Sequence, residues 1–237
     1  MFPDDASDAS NLLKNADTAM FRAKEQGRRC FQFYKAEMDV NAMERLELEN
    51  SIRQAIESDE MVIHYQPTID IHNNEISGVE ALLRWQHPEK GIICPDDFLQ
   101  TAIDSGLIVS IGEWMINTIC HQLRVWKEAG LENQNISINL TAKQFKDKNL
   151  ISIFKVAMEE HQIEGSELTI EVTVKTLIYS ECEIDIAWNR LHDMGMTICI
   201  ADFGIGFASL TNLKDLPIDV VKIDDAFIAG VPDSEHD

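Results

Sequence analysis

Short apolar segments alternate with amphipathic segments along most of the chain, and this alternation constrains the fold more than any other feature. Predicted strands lie at residues 136–140, 168–173, 197–202 and 220–224. The intervening residues 148–161 and 182–194 have apolar positions at helical spacing, and a short helical turn is predicted at 210–213. Strands separated by helices indicate a parallel sheet with helices packed outside it. The predicted fold class is therefore α/β, most economically a TIM-like (β/α)8 barrel.

Two further strands are predicted before these units, at residues 61–71 and 76–85. The connecting residues His72-Asn73-Asn74-Glu75 favour a hairpin. Helices are predicted at 95–105 and 108–129, the second with a core stripe of Met115, Ile119, Leu123 and Trp126. A closed barrel of this type has about eight strands, and only about six are found here. We expect a barrel without its last two β/α units, whose exposed sheet edges another chain or segment would cover.

The N-terminal segment has a different organisation. A helix is predicted at residues 9–25, Gly27 ends it, and residues 30–34 have a β-like pattern. One helix and one strand cannot bury a core, so residues 1–36 are interpreted as the end of another domain. An acidic amphipathic helix at 42–58 is interpreted as a linker, which places a linker at 37–58 and the barrel domain at 59–237.

The charge of the chain excludes some classes of partner. Its 237 residues contain 20 Lys and Arg against 41 Asp and Glu, a formal net charge of −21. This balance argues against a nonspecific grip on nucleic acid, so no DNA partner is expected, or on an anionic membrane. No apolar run reaches the ~18 residues of a membrane span, and no signal-peptide pattern is present. Five cysteines without CxxC spacing, four of them in apolar surroundings, predict reduced core or near-core thiols and a cytoplasmic location.

The run from Ile200 to Phe207 places one carboxylate, Asp202, at the end of a predicted strand. Gly204 and Gly206 follow it and allow backbone angles that other residues reach only at a cost. A strand end with an acid and a flexible turn is a usual place for a metal or phosphate site in α/β proteins. A plain β-to-α turn with Asp202 as N-cap explains the same stretch. These residues alone leave both interpretations open.

Several longer motifs resemble the EAL phosphodiesterase family, whose name is spelled by Glu80-Ala81-Leu82. The match continues, in order, through Tyr65-Gln66-Pro67, Arg84-Trp85-Gln86-His87-Pro88, Pro95-Asp96-Asp97-Phe98, Gly106-Leu107-Ile108, Ser137-Ile138-Asn139-Leu140-Thr141-Ala142-Lys143-Gln144-Phe145, Asp202-Phe203-Gly204 and Leu216-Pro217-Ile218-Asp219-Val220-Val221-Lys222-Ile223-Asp224. Separately, residues 16–29 resemble the closing helix of GGDEF (diguanylate cyclase) domains. That domain's nucleotide-binding and signature loops would lie upstream of Met1, so no cyclase activity is expected.

The resemblance implies a barrel that cleaves cyclic di-GMP to linear pGpG with two Mg²⁺ or Mn²⁺ ions. Hard divalent cations prefer oxygen ligands, and two ions can polarise a phosphate and activate water. On the family's pattern the metal-ligand positions are Glu80, Asn139, Glu171 and Asp202, the catalytic positions are Lys222 and Glu80, and the dinucleotide-pocket positions are Gln66, Leu83 and Arg84. An Arg suits bidentate phosphate contact.

Each of these positions has a structural alternative. Glu80 and Lys222 suit an ion pair at the barrel rim, and Lys222 also suits a solvated rim position. Asn139 suits a turn, Glu171 a structural acid, and Arg84 a structural salt bridge.

The chain also departs from the family's pattern. Ala201 stands where the family has the first of two aspartates, and a methyl group cannot coordinate a cation. Val174 replaces a glutamate that steadies the loop after Asp202, and Ile103 replaces a common glutamate. The family's general-base glutamate would fall beyond Asp237. Loss of an outer-shell partner alone typically costs about 10- to 100-fold in metal affinity or activity, so impaired hydrolysis is expected.

The leading hypothesis is a degenerate EAL domain of a GGDEF-EAL signalling protein that acts as a cyclic di-GMP receptor or a regulatory interaction module. The alternatives are an active metal-dependent phosphodiesterase and a nucleotide-independent interaction module. Expected partners are cyclic di-GMP and, through the EAL domain, a second copy or another protein. The chain is expected to lie in the cytoplasm, as itself or as part of a larger sensor, with no membrane contact within this sequence.

Overall fold

The structure is a computed structural model that describes residues 8–25, 30–35, 37–131, 134–174, 176, 182–204, 217–227 and 229. The chain divides into two compact units, residues 1–54 and 55–237. Within the described residues, none of the helices combines the length and the hydrophobicity needed to cross a lipid bilayer.

The first unit contains helix α1 (Ala9–Glu25) and most of helix α2 (Glu37–Glu57). Helix α1 has the predicted bounds, whereas α2 begins five residues before the predicted start. The prediction of a β-like segment at residues 30–34 is wrong, because these residues form no strand. Phe31 and Phe33 make an edge-to-face contact and remain exposed, and no neighbouring strand pairs with their backbone.

The second unit is built on one sheet. Its strands are β1 (Met61–Asp70), β2 (Glu75–His87), β3 (Gly91–Ile93), β4 (Ile136–Asn139), β5 (Leu168–Thr173), β6 (Thr197–Phe203) and β7 (Val220–Ile223). The sheet order is β1-β2-β4-β5-β6-β7, with β3 paired to β2. Strands β1 and β2 form the predicted antiparallel hairpin, and β2, β4, β5, β6 and β7 are parallel. The predicted α/β class with a parallel sheet is confirmed.

Helices with defined bounds in the described part of this unit are α3 (Leu99–Ser105), α4 (Leu107–Glu128), α5 (Ala142–Phe145), α6 (Leu150–His161) and α7 (Cys182–Asp193). Short 3-10 turns cover Pro95–Asp97, Gly165–Glu167 and Asp225–Phe227. Among the described strands no pairing joins β7 to β1, so the sheet is open there. The helical turn predicted at residues 210–213 lies outside the described residues.

The core lies between the sheet and its helices. Its largest fully buried side chains are aromatic: Trp85, Phe98, Phe145, Phe154 and Trp188. Of the predicted α4 stripe, Met115, Ile119 and Leu123 are buried, while Trp126 is partly exposed and packs edge-on against Tyr65 at 5.0 Å between ring centroids. Truncating one such aromatic side chain to Ala typically costs about 3–5 kcal/mol.

Two local features differ from the sequence prediction. The helix predicted at 95–105 is interrupted at Phe98, whose φ of −135° leaves the helical region while its ring is 1 % exposed. The short helix α5, which was not predicted, begins at Ala142 and has Thr141 as its N-cap. Gln144 accepts hydrogen bonds from both the N–H and the hydroxyl of Thr141, a reciprocal cap that stabilises one helical turn.

The cysteine prediction is only partly correct. Cys120 and Cys199 are buried free thiols, as expected for core positions, but Cys30 and Cys94 are exposed free thiols. Nothing is described of the Cys182 side chain.

Candidate functional site

The register of the parallel strands places three candidate ligands on one face of the sheet. Glu80 of β2 lies opposite Ser137 of β4, and Asn139, two residues further along β4, lies opposite Glu171 of β5. Register partners point to the same face, and side chains alternate along a strand. Glu80, Asn139 and Glu171 therefore share a face.

Lys222 of β7 lies on the same face of the sheet, beyond β5 and β6. Cys199 of β6 lies opposite Glu171, and Val220 of β7 lies opposite Cys199. Lys222 follows Val220 by two residues, so its side chain returns to the face that carries Glu171. Four strands thus contribute one polar side chain each.

The Lys222 ammonium joins two carboxylates. Its Nζ donates to Glu80 Oε2 at 2.5 Å and to Glu171 Oε1 and Oε2 at 3.0 and 2.8 Å. Burial lowers the pKa of Lys222, but its hydrogen bonds to Glu171 and Glu80 and their negative charges raise it more, so its pKa lies above the ordinary value. The ion pair between Glu80 and Lys222, one of the alternatives that the sequence left open, is present.

Asn139 completes this arrangement, which we call the polar cluster: Glu80, Asn139, Glu171 and Lys222. Asn139 Nδ2 donates to Glu80 Oε1 at 2.8 Å, so the two oxygens of Glu80 bond to different partners. The N–H of Leu140 donates to the Glu171 carbonyl at 3.0 Å and extends the pairing of β4 with β5. The cluster is therefore fixed by both side-chain and main-chain bonds.

A cavity of about 660 Å³ lies beside the polar cluster. This volume falls in the ~300–1,000 Å³ range usual for small-molecule sites. Five of the predicted site residues line the cavity, namely Leu83, Arg84, Asn139, Glu171 and Asp202. Gln66, Glu80 and Lys222 do not contribute to the lining. Five of the eight predicted site residues therefore border this cavity.

Arg84 presents an available guanidinium to this cavity. Its Nη1 donates to the Leu83 carbonyl at 2.7 Å, and it makes no ion pair in the part of the chain that the structure describes. The structural salt bridge considered for Arg84 is therefore not seen there. Gln66 is exposed on β1, opposite Glu80 in the hairpin register and so on the same face.

Ala201 occupies the place where the resemblance implies a carboxylate. It lies opposite Thr173 in the pairing of β5 with β6, and Thr173 follows Glu171 by two residues. Ala201 therefore shares this face with Glu171, and the residue is only 7 % exposed. No oxygen donor is available at this position.

Asp202 follows with a φ of 56°, in the left-handed region that Asp tolerates better than most residues. The register of β6 on β7 is irregular between Ile200 and Phe203, and the exposed side chain of Asp202 reaches the cavity wall. Residues 205–216 are outside the described part of the chain, so the N-cap interpretation of Asp202 is untested.

The other two departures have distinct surroundings. Val174 directly follows β5 and is 3 % exposed, so an apolar side chain suits its position. Ile103 lines the cavity. A charged side chain at position 174 would have to be buried, whereas one at 103 would border the cavity.

The polar cluster does not fit the two-ion site that the resemblance implies. It holds two carboxylates and one amide, and both carboxylates are already bonded to the Lys222 ammonium. Across the described residues, no three His, Cys, Asp or Glu side chains converge where a metal ion could be held. Because Mg²⁺ binds through several oxygen atoms in near-octahedral geometry, a two-ion mechanism does not follow from these residues.

Sequence reasoning missed several cavity residues. Lys143 and Gln144 were matched only as part of the family's motif, and Met115 was placed in the core. For Lys143 and Gln144 the available signal was their position just after a predicted strand, because the loop that follows a β-strand in an α/β protein commonly carries the site.

Comparisons with known proteins agree with this architecture. The EAL domain family model matches residues 49–237. The chain is 42 % identical over 228 residues to the bifunctional diguanylate cyclase/cyclic di-GMP phosphodiesterase MucR of Pseudomonas aeruginosa, covering 96 % of this chain and 33 % of MucR. It is 36 % identical over 229 residues to the cyclic di-GMP phosphodiesterase PdeR of Escherichia coli, covering 97 % of this chain and 34 % of PdeR. The chain therefore spans about a third of the length of these relatives.

A solved structure described as the PaMucR phosphodiesterase in complex with c-di-GMP is similar to this fold. It has a TM-score of 0.74 and 42 % sequence identity, and the match covers 78 % of this chain and 75 % of that one. The family model, the parallel sheet and the residues at its strand ends lead to one conclusion: the chain belongs to the EAL domain family.

Proposed function

We propose that this chain is the EAL domain of a cyclic di-GMP signalling protein that binds cyclic di-GMP, hydrolyses it inefficiently at most, and acts as a receptor or regulatory module. The observation that carries the proposal is the methyl group of Ala201 on the face that holds Glu80 and Glu171. Position 201 carries no carboxylate, and the charges of Glu80 and Glu171 are balanced by Lys222.

The cavity supports the binding half of this proposal. It combines apolar walls with one free guanidinium, Arg84, and such a combination suits a ligand with flat bases and charged phosphates. The structure named as a c-di-GMP complex has the same fold and 42 % identity to this chain, which adds support for the ligand.

The donor set supports the impaired-hydrolysis half. EAL phosphodiesterases generally use divalent metal ions, which would lower the pKa of a bound water. Here the Lys222 ammonium supplies the local positive charge, and Asn139 orients the Glu80 carboxylate. These bonds tie the polar side chains to one another, and none of them supplies the charge of a divalent ion that would activate a water molecule.

We also propose the domain organisation and location given by the sequence. Residues 1–36 would be the end of a GGDEF domain, 37–58 a linker helix, and 59–237 the EAL domain in the cytoplasm. MucR is described as a bifunctional cyclase and phosphodiesterase, and the unit boundary at 54/55 lies within α2; both observations support this organisation.

Calorimetric titration with cyclic di-GMP, with and without Mg²⁺, tests the receptor proposal. Binding in both buffers, lost in Arg84→Ala and kept in Arg124→Ala, is the expected result. Arg124 is a matched control because it lies on α4 and pairs with Glu128 at 3.1 Å, outside the cavity. No heat with wild-type protein up to about 100 μM ligand, a free energy near −5.5 kcal/mol, would refute it.

An active phosphodiesterase is the second candidate, and one observation favours it. Asp202 lines the cavity together with Asn139 and Glu171, so three of the four implied metal-ligand positions border the same space. To hold a cation, Glu80 and Glu171 would have to release Lys222 and converge with Asp202, which they do not do in the described structure. Sustained formation of pGpG with Mn²⁺ would select this candidate over the first.

A further inference from the structure

We propose that Lys143 binds a phosphate group of the cavity ligand, as the cationic partner of Arg84 in the same cavity. This inference rests on the proposed function, because it names a further residue that would hold a cyclic dinucleotide. Lys143 lies in α5, shortly after Asn139 at the end of β4.

The ammonium of Lys143 is bonded but not neutralised. Its Nζ donates to the main-chain carbonyls of Ile103 at 2.5 Å and Asp104 at 3.3 Å. These acceptors carry no net charge, and no ion pair of Lys143 occurs within the described part of the chain. The side chain of Ile103, which also lines the cavity, cannot balance the charge. Lys143 therefore keeps a full positive charge at the cavity.

Other lysines show the contrast. Lys222 is balanced by Glu80 and Glu171, and Lys127 pairs with Glu167 at 2.6 Å. The chain as a whole has a net charge of −21. An uncompensated ammonium beside a cavity raises the local concentration of anions against this background.

Arg84 and Lys143 are the two basic residues among the described residues that line the cavity. A cyclic dinucleotide carries two phosphate groups, each with one negative charge. Two cations from different elements, β2 and α5, match this charge. Arg84 alone would leave the second phosphate to the bulk solvent or to the acidic residues of the wall.

The position of Lys143 is set before any ligand arrives. Gln144 is 4 % exposed, and its Oε1 accepts from the Thr141 N–H at 2.8 Å and the Thr141 hydroxyl at 2.7 Å. These bonds fix the backbone on both sides of Lys143. Preorganisation of this kind reduces the ordering cost of binding.

A purely structural role for Lys143, joining α5 to the end of α3, makes a different prediction. In that case neutral variants would lose stability without a specific change in affinity. Lys143→Gln and Lys143→Met remove the charge, Lys143→Arg keeps it, and Lys148→Gln is the control because Lys148 is exposed and absent from the cavity lining.

Calorimetric titration of these four variants and wild-type protein with cyclic di-GMP, alongside thermal melts, tests the proposal. We expect Lys143→Gln and Lys143→Met to bind about tenfold more weakly, with the difference shrinking at high salt, and Lys143→Arg and Lys148→Gln to bind within about threefold of wild type. Unchanged affinity in both neutral variants would overturn the role of Lys143 and leave the proposed function standing. Unfolding of both would assign Lys143 to the scaffold and also overturn it. Absence of binding by wild-type protein would overturn the proposed function itself.

Discussion

Lys222 Nζ lies 2.8 Å from Glu171 Oε2, and the Glu171 side chain is 3 % exposed while that of Lys222 is 42 % exposed. A buried carboxylate thus depends on a half-exposed lysine from a strand two positions away in the sheet. Removing the lysine leaves the Glu171 carboxylate without a hydrogen-bond partner among the described residues and poorly reached by water.

Lys222→Ala is expected to lower the free energy of unfolding by about 2 kcal/mol, less than for a fully buried pair because Lys222 stays partly solvated. Urea denaturation at neutral pH measures this change. Arg124→Ala, which breaks an exposed pair, should change stability by less than about 0.5 kcal/mol.

The double variant Lys222→Ala/Glu171→Gln separates loss of compensation from loss of packing. We expect it to recover part of the stability lost in Lys222→Ala, because no buried charge remains. A double variant as unstable as the sum of the two single variants would show that the ion pair does not couple them.

Ala201→Asp is expected to restore a cation-binding position. The new carboxylate would lie on the face that carries Glu171, so like-charge repulsion and burial should lower the melting temperature in the absence of divalent ions. Mn²⁺ should then raise the melting temperature of the variant more than that of wild-type protein. Equal shifts in the two proteins would contradict this prediction.

Gly112→Ala tests how closely the Gln144 side chain packs against α4. A Cβ at this buried position of α4 would overlap the side-chain amide nitrogen of Gln144 and lie 3.3 Å from its Cδ. We expect a loss of about 1–3 kcal/mol from overpacking. The double variant Gly112→Ala/Gln144→Ala has no overlap at this contact. Its free energy of unfolding, measured by urea denaturation, should therefore fall by less than the sum of the two single losses. Strictly additive losses would contradict the contact.

Alkaline pH should destabilise the protein. Burial, with a smaller contribution from the charge of Glu167, raises the pKa of Cys120 from 9.0 to about 12, and burial raises the pKa of Tyr65 from 10.0 to about 12. Between these values the unfolded state releases protons that the folded state keeps, so the unfolded state binds fewer protons and stability falls as pH rises.

Denaturation at about pH 8 and about pH 10.5 measures this slope, and Cys120→Ala should show a shallower one. Native-state alkylation gives an independent check: exposed Cys94 should react at neutral pH, while buried Cys120 should not. Rapid modification of Cys120 in folded protein would contradict the burial argument.

The sequence predicted most elements because their signals are local. The apolar strands around Asn139, Glu171 and Lys222 have the predicted positions, and alternation along a strand already implies which residues share a face. The parallel arrangement of the strands also followed from the β-α-β pattern, since parallel neighbours need a crossover.

Other features depend on contacts between distant segments. No local sequence pattern predicts that Phe98 interrupts a helix. Its ring is deeply buried, and that burial depends on contacts with distant segments. The bonds of Lys143 to Ile103 and Asp104 join residues about forty positions apart, and periodicity carries no information about them. The same holds for the choice of Lys222 as the partner of Glu80, which the sequence offered only as an alternative.

The most direct test of the central claim is chromatographic measurement of pGpG formed from cyclic di-GMP by wild-type protein at saturating ligand with Mg²⁺ or Mn²⁺. We expect a bound complex with little or no product, at a rate far below the ~1 per second at the lower end of typical enzyme turnover. Repeated turnover at or above about that rate would contradict it and identify the chain as a working phosphodiesterase.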